Sequence, residues 1–164
     1  MNYNIYILYG SQTGNAEEIS KYIYKLLSDK GYKCNYSSLN KTIENNNFTF
    51  LNNKEKTTLI IVCSTTGNGD PPESAYSFWI KLKNRNNSKN LLSNIQFAVL
   101  ALGDTNYDKF CQFGKNLDSK FHELGGKRFI DLHCADEVVD QEKTVELFIE
   151  KAIVYVDELF SSNI

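Results

Sequence analysis

Residues 57–79, "TTLIIVCSTTGNGDPPESAYSFW", run through three kinds of sequence in succession. The first eight are a near-continuous apolar run rich in branched side chains. A strand covered on both faces reads this way, whereas a half-solvated strand alternates. A polar, glycine-bearing loop follows at 64–72. Pro71 and Pro72 then open a helix bearing Ala75, Phe78, Trp79 and Leu82. Proline is favoured at a helix start because the N–H it lacks is not needed there. Strand, polar loop and helix in that order make half of a parallel crossover unit.

The same unit recurs on both sides. Residues 4–9 ("NIYILY") are strand-like and lead through "GSQTGN" into a helix over 15–30. That helix has Ile19, Tyr22, Ile23, Leu26 and Leu27 at helical spacing and Gly31 as its stop. A weaker second strand is expected at 32–39. Residues 95–102 ("IQFAVLAL") repeat the fully apolar pattern, and a helix over about 107–124 ends at Gly125-Gly126. "KRFIDLHC" supplies a fifth strand and 139–160 a last helix. Five strands alternating with helices, without a hairpin signal, predict an α/β fold with a doubly wound parallel sheet. The Asn-rich pieces "IENNNFTFLNNKEK" and "KNRNNSKN" break this rhythm and are expected to be tolerated surface sequence. There is no internal repeat and no second-domain boundary, so 1–164 is expected to be one domain.

Composition sets the outer limits. The 164 residues are 41% hydrophobic and 23% charged, as in an ordinary globular domain. A formal charge of −2 gives no basic field for nucleic acid or a membrane surface. No apolar run approaches the roughly 18 residues of a membrane span. The N-terminus has no basic segment before its short apolar run and does not read as a signal peptide. Cys34, Cys63, Cys111 and Cys134 form no CxxC pair, and only His122 and His133 are available to help them. Reduced, mostly buried thiols in a cytoplasmic protein are therefore expected, with no metal site.

In an open parallel sheet, ligands sit beyond the carboxyl ends of the strands, where strand order reverses. Three polar loops converge there: "GSQTGN" after strand 1, "STTGNGDPP" after strand 3 and "GDTNYDKF" after strand 4. The first has the properties of a phosphate cradle, with backbone N–H groups at a helix N-terminus and the Ser11 and Thr13 hydroxyls beside them. Helix capping by the same residues is the plainer reading of that loop taken alone. No lysine follows in a GK[ST] arrangement, so it is not a nucleoside-triphosphate loop. In the second, Gly67 and Gly69 can take positive φ and let a peptide unit rotate beside a flat ligand. The third offers Tyr107 for stacking, with Asp104 and Asn106 as hydrogen-bonding groups. Together they describe a ligand with a phosphate, a polar rim and a flat aromatic body.

These stretches resemble the FMN-binding, flavodoxin-like domain of the diflavin reductase family. "GSQTGNAE" is similar to the family's phosphate loop, "STTGNGDPPESA" to its second loop and "LALGDTNYDKFCQFGKNLD" to its third. "LGGKRF" and the acidic "ADE" at 135–137 also fall at the family's places, so the resemblance covers almost the whole chain. The form "TTGNGDPP" and the pair Phe110-Cys111 are most similar to methionine synthase reductase and to the soluble diflavin reductase of cytosolic iron–sulfur assembly.

The resemblance implies strand order 2-1-3-4-5, bound FMN, and electron transfer in which no side chain is catalytic. It implies that Ser11, Gln12, Thr13, Gly14 and Asn15 hold the phosphate. Ser64, Thr65, Thr66, Gly67, Asn68 and Gly69 would border the ring, the backbone near Gly67 reorienting toward flavin N5. Leu102, Gly103, Asp104, Asn106, Tyr107, Phe110 and Cys111 complete the implied site, with Asp136 nearby. Membrane-anchored haemoprotein reductases usually place an aromatic where this chain has Thr66. That difference implies ring stacking on Tyr107 alone and weaker flavin retention.

The implied partners are a module carrying FAD and NADPH, absent from this chain, and a redox acceptor protein. The chain is then expected to be a monomeric N-terminal domain excised from a longer reductase. Asp70, Glu73, Asp108, Asp136, Glu137 and Asp140 surround the expected flavin edge, either steering a basic partner or forming a plain solvated face. A free-standing flavodoxin-type shuttle is the alternative, although free flavodoxins tend to be more acidic than −2. A flavodoxin-fold NAD(P)H:quinone reductase would need a nicotinamide and substrate pocket that no motif supplies. A receiver-type signalling domain would need acidic strand ends, whereas strand 1 ends in Tyr9-Gly10-Ser11 and strand 3 in Cys63-Ser64.

Overall fold

In the computed structural model, which describes residues 3–52 and 54–162, the apolar run at Thr57–Ser64 is a central strand. The elements are β1 (Asn4–Gly10), α1 (Asn15–Asp29), β2 (Cys34–Ser38), β3 (Ile43–Glu44), β4 (Asn47–Phe48), β5 (Thr57–Ser64) and α2 (Glu73–Leu82). They continue with β6 (Ile95–Gly103), α3 (Gln112–Glu123), β7 (Lys127–Arg128), β8 (His133–Asp136) and α4 (Gln141–Ser161). The main sheet is parallel in the order β2-β1-β5-β6, with β7 and β8 both paired to the outer edge of β6. This is the expected 2-1-3-4-5 order, with the fifth position shared by two short strands.

The continuous apolar runs have the cause inferred from them. Every residue of β5 from Thr57 to Cys63 is buried, because helices cover both faces of the sheet. On one face, Leu59, Ile61, Phe97 and Val99 pack with Phe78 and Leu82 of α2 and Phe113, Leu117 and Phe121 of α3. On the other, Ile60, Val62, Ala98 and Leu100 pack with Ile23 and Leu27 of α1 and Phe148, Ala152 and Val156 of α4. Fully burying a side chain of this size contributes about 1.5–3 kcal/mol, so the two layers dominate stability. Gly31 and Gly125, at φ 89° and 92°, stop α1 and α3 in the left-handed region. The next N–H reaches back into the last turn in each case, from Tyr32 to Leu27 O and from Gly126 to Phe121 O.

Four expectations are corrected. The stretch "KRFIDLHC" is interrupted at 129–132, where Ile130 drops into the core and Phe129 stacks on Tyr155 with ring centroids 3.9 Å apart. The Asn-rich segment contains a hairpin after all. β3 and β4 pair antiparallel about Asn45-Asn46, both left-handed at φ 49° and 61°. Asparagine tolerates that region, so a pair of them serves a two-residue hairpin turn. The segment is not merely surface either, because Phe48 and Phe50 stack on each other and are buried against Phe78. Finally, α3 begins at Gln112 and not at 107. The Asp104 side chain accepts the Asn106 N–H at 2.8 Å and its carbonyl accepts the Tyr107 N–H at 3.1 Å, a turn that competes with helix.

Candidate functional site

The first loop is held from behind by α2. The Ser11 N–H donates to the Ser74 hydroxyl at 2.8 Å, which returns a bond to the Ser11 carbonyl at 3.0 Å. The Gln12 side-chain carbonyl accepts the Glu73 N–H at 3.1 Å, capping α2. Within the loop, the Ser11 hydroxyl accepts the Gly14 N–H at 2.9 Å, and Gly14 takes φ 102° to turn the chain into α1. Among the described residues, the Thr13 hydroxyl and the Asn15 amide make no hydrogen bond. They stand with the free N–H groups of the first turn of α1, where the helix dipole also favours an anion. The donor set therefore fits a phosphate held by neutral groups.

The second loop is a tight reversal. Thr66 and Asp70 exchange backbone bonds at 2.9 and 2.8 Å, and the Thr66 hydroxyl lies 3.3 Å from both the Asp70 and Pro71 carbonyls. Gly67 at φ 49° and Gly69 at φ 90° make the turn. A side chain on Gly69 would come within 3.2 Å of Gln112 Cγ, so the loop rests directly on the start of α3. The Thr65 hydroxyl accepts the Phe113 N–H at 3.1 Å and fixes that contact.

The third loop presents Tyr107 at 69% exposure, an aromatic ring left facing solvent beside the cavity. The Asp136 carboxylate holds the loop from the side. It accepts the Thr105 N–H at 3.1 Å, the Thr105 hydroxyl at 2.6 Å and the Val138 N–H at 3.0 Å. These donors, the Thr105 hydroxyl foremost, keep its carboxyl below the usual carboxylate range. Cys111, left-handed at φ 52°, then turns the chain into α3.

Where the loops meet they enclose a cavity of about 750 Å³, a size typical of cofactor sites. From the first loop it is lined by Gln12, Thr13 and Asn15, and from the second by Ser64, Thr65, Thr66 and Gly67. Leu102, Gly103, Asp104, Tyr107, Phe110 and Cys111 supply the third wall. Ser11, Gly14, Asn68, Gly69, Asn106 and Asp136, also expected there, are not on the cavity surface. Ser11, Gly14, Gly69 and Asp136 instead shape the loops that are. Ala16, Lys109, Glu137 and Gln141 line the cavity as well. Lys109 and Glu137 lie inside motifs visible in the sequence. Gln141 is brought in by the left-handed turn at Asp140 that begins α4, which no local signal announces.

A doubly wound domain with unengaged donors in its first loop and an exposed aromatic in its third, both at the switch point, has the architecture of the class built around a flat phosphorylated cofactor. The flavodoxin family matches residues 7–150, and the chain belongs to that family. FMN is the cofactor of flavodoxins. Among curated relatives, the sulfite reductase (NADPH) flavoprotein alpha-component of Bacillus subtilis is 43% identical over 122 residues, 74% of this chain and 19% of its own. Methionine synthase reductase of Bos taurus is 32% identical over 96% of this chain and 22% of its own. NADPH-dependent diflavin oxidoreductase 1 of Schizosaccharomyces pombe is 34% identical over 83% of this chain and 22% of its own. The chain thus spans about a fifth of the length of these relatives. A solved flavodoxin of Streptococcus pneumoniae superposes with a TM-score of 0.70 at 25% identity, covering 94% of this chain and 99% of that one. The sulfite reductase branch adds to the two reductases that the loop motifs resemble.

Proposed function

We propose that the chain binds FMN in this cavity and works as the electron-passing domain of an NADPH-dependent diflavin reductase. On this reading it accepts electrons from an FAD/NADPH module and delivers them to a protein acceptor, as a cytoplasmic monomer. The observation that carries it is the junction of unengaged donors at the start of α1 with an exposed Tyr107 across one cavity. Bound FMN supplies the chemistry, accepting electrons and passing them on. The protein's own groups bind and orient. Thr13 and Asn15 donate to the phosphate, and the Ser11 hydroxyl, which accepts the Gly14 N–H, holds the loop in the shape that presents them. Tyr107 covers one face of the ring, and the Thr66–Asp70 loop borders its edge without an aromatic. Retention is then weaker than in homologues with two stacking aromatics.

The test combines a titration with a reduction. FMN added to the purified protein should acquire the quenched fluorescence and shifted visible spectrum of a bound flavin. NADPH with a diflavin-type FAD module should then bleach it. A protein that stays colourless after FMN addition overturns the reading, and an unusually tight site overturns the weak-retention part of it. The near-complete coverage of a solved flavodoxin favours a second reading, a free-standing shuttle. That reading predicts reduction by a separate NADPH-dependent flavoprotein at least as fast as by the diflavin module.

A further inference from the structure

Three of the four cysteines gather on the α3 face of the sheet. Cys63 of β5, Ala101 of β6 and Cys134 of β8 are register partners in a row across three strands. The first turn of α3 sits on this row. Gly114 is seated against Ala101 and Cys63, and the Cys111 thiol reaches the Ala101 carbonyl at 3.5 Å. Ala101 offers only a methyl group between its neighbours, and the Cys111 thiol at its carbonyl and Cys134 at its register position flank this one residue, close enough for each thiol to act on the other's proton.

Their surroundings separate their roles. Cys63 and Cys111 are fully buried, whereas Cys134, on the outermost strand, is partly exposed. Interaction with the Cys111 thiol brings the Cys134 thiol down to about 7. The Lys115 ammonium adds to this, against burial and the Asp118 carboxylate. The same contact with Cys134 pushes the Cys111 thiol up, and burial pushes Cys63 up. At neutral pH the accessible sulfur is therefore also the nucleophilic one, and a neutral thiol waits beside it. Cys34 lies apart on β2, raised by burial to about 11.

We propose that Cys134 and Cys111 are an oxidisable pair that hydrogen peroxide closes to an intrachain disulfide. The Cys134 thiolate attacks one peroxide oxygen; the O–O bond breaks, an S–O bond forms and hydroxide leaves. The Cys111 thiol then attacks that sulfur; an S–S bond forms, the S–O bond breaks, and the thiol proton departs with the hydroxyl as water. Two electrons pass from the sulfurs to the peroxide, which ends as water and hydroxide. Because Cys111 is both a cavity wall and the left-handed hinge into α3, the bridge ties that wall to the outer strand.

The test uses the full chain without added flavin, so its outcome does not depend on the flavin reading. After peroxide treatment, denaturation and alkylation, two of the four thiols should be lost. The intact mass should fall by two hydrogens, and one cross-linked peptide pair should join Cys111 to Cys134. Cys34→Ser should behave the same way. Cys134→Ser should oxidise at least about tenfold more slowly. Cys111→Ser, where it folds, should stop at a sulfenic acid on Cys134 that dimedone captures. A link through Cys63, an intermolecular dimer, thiol loss confined to Cys34, or wild-type kinetics in Cys134→Ser overturns the proposal.

Discussion

The turn at Asn45-Asn46 and the loop from Thr66 to Asp70 are both antiparallel reversals built on left-handed backbone. They serve opposite ends. The first, held by the Lys81 ammonium donating to the Asn46 carbonyl, sends Phe48 and Phe50 into the core, so it holds a hydrophobic layer in place. The second buries no large side chain, lines the cavity and rests on α3. Asparagine suffices where only the handedness is required. Glycine is needed where a neighbour also approaches, as Gln112 Cγ does to the missing side chain of Gly69 at 3.2 Å. The composition of the two turns thus follows what each rests against, the core in one case and the cavity and α3 in the other.

The comparison breaks most visibly at Phe50. If the Asn-rich segment belongs to the core, Phe50→Ala lowers unfolding free energy by about 3–5 kcal/mol in urea titrations. A loss within about 0.5 kcal/mol, as at a surface position, would return the segment to the solvent. Next comes Gly69→Ala, which meets both the φ of 90° and Gln112. It should cost about 1–2 kcal/mol in stability and weaken FMN binding about tenfold. Unchanged values for both would mean that the loop gives way freely.

The two asparagines provide the milder contrast. Asn46→Ala should cost about 1 kcal/mol for its left-handed backbone, whereas Asn46→Gly should stay within a few tenths, both read from thermal melts. The smallest effect concerns a third reversal, at residues 104–107, which a side chain holds from outside. The Asp136 carboxyl has a folded pKa below its ordinary 3.8, so its latch contributes above that value and is lost as pH falls through the folded one. Melts of wild type and Asp136→Asn should differ at neutral pH and converge in acid. A gap that persists well below 3.8 would rule out the carboxylate as the latch.

What the sequence made legible follows from how local each signal is. The apolar runs of β5 and β6 and the glycine stops of α1 and α3 depend on neighbouring residues alone, and they stand as read. Polar neighbours mask Phe48 and Phe50, and their packing partners, Phe78 of α2 and Tyr6 of β1, lie far along the chain. The start of α3 falls later than the sequence suggests because the turn closed by Asp104 competes with helix at 104–107. In the site, the donor-rich loops were plain. The division of labour inside the first loop was not, since Ser11 and Gln12 are turned inward by Ser74 and Glu73 of another element.

The interrupted edge of the sheet has a consequence for chain length. β7 and β8 are each registered independently against β6, at Gln96–Phe97 and at Leu100–Gly103. Between them Asp131 is exposed, while Ile130 anchors the strand on its near side and Leu132 on the other. Extra residues at Asp131 would lengthen only a surface excursion, at the slow logarithmic cost of a longer loop, and leave both registers as they are. This is where the domain can gain or lose sequence, naturally or by splicing in a reporter peptide, without disturbing the cavity at the far end of the same strand.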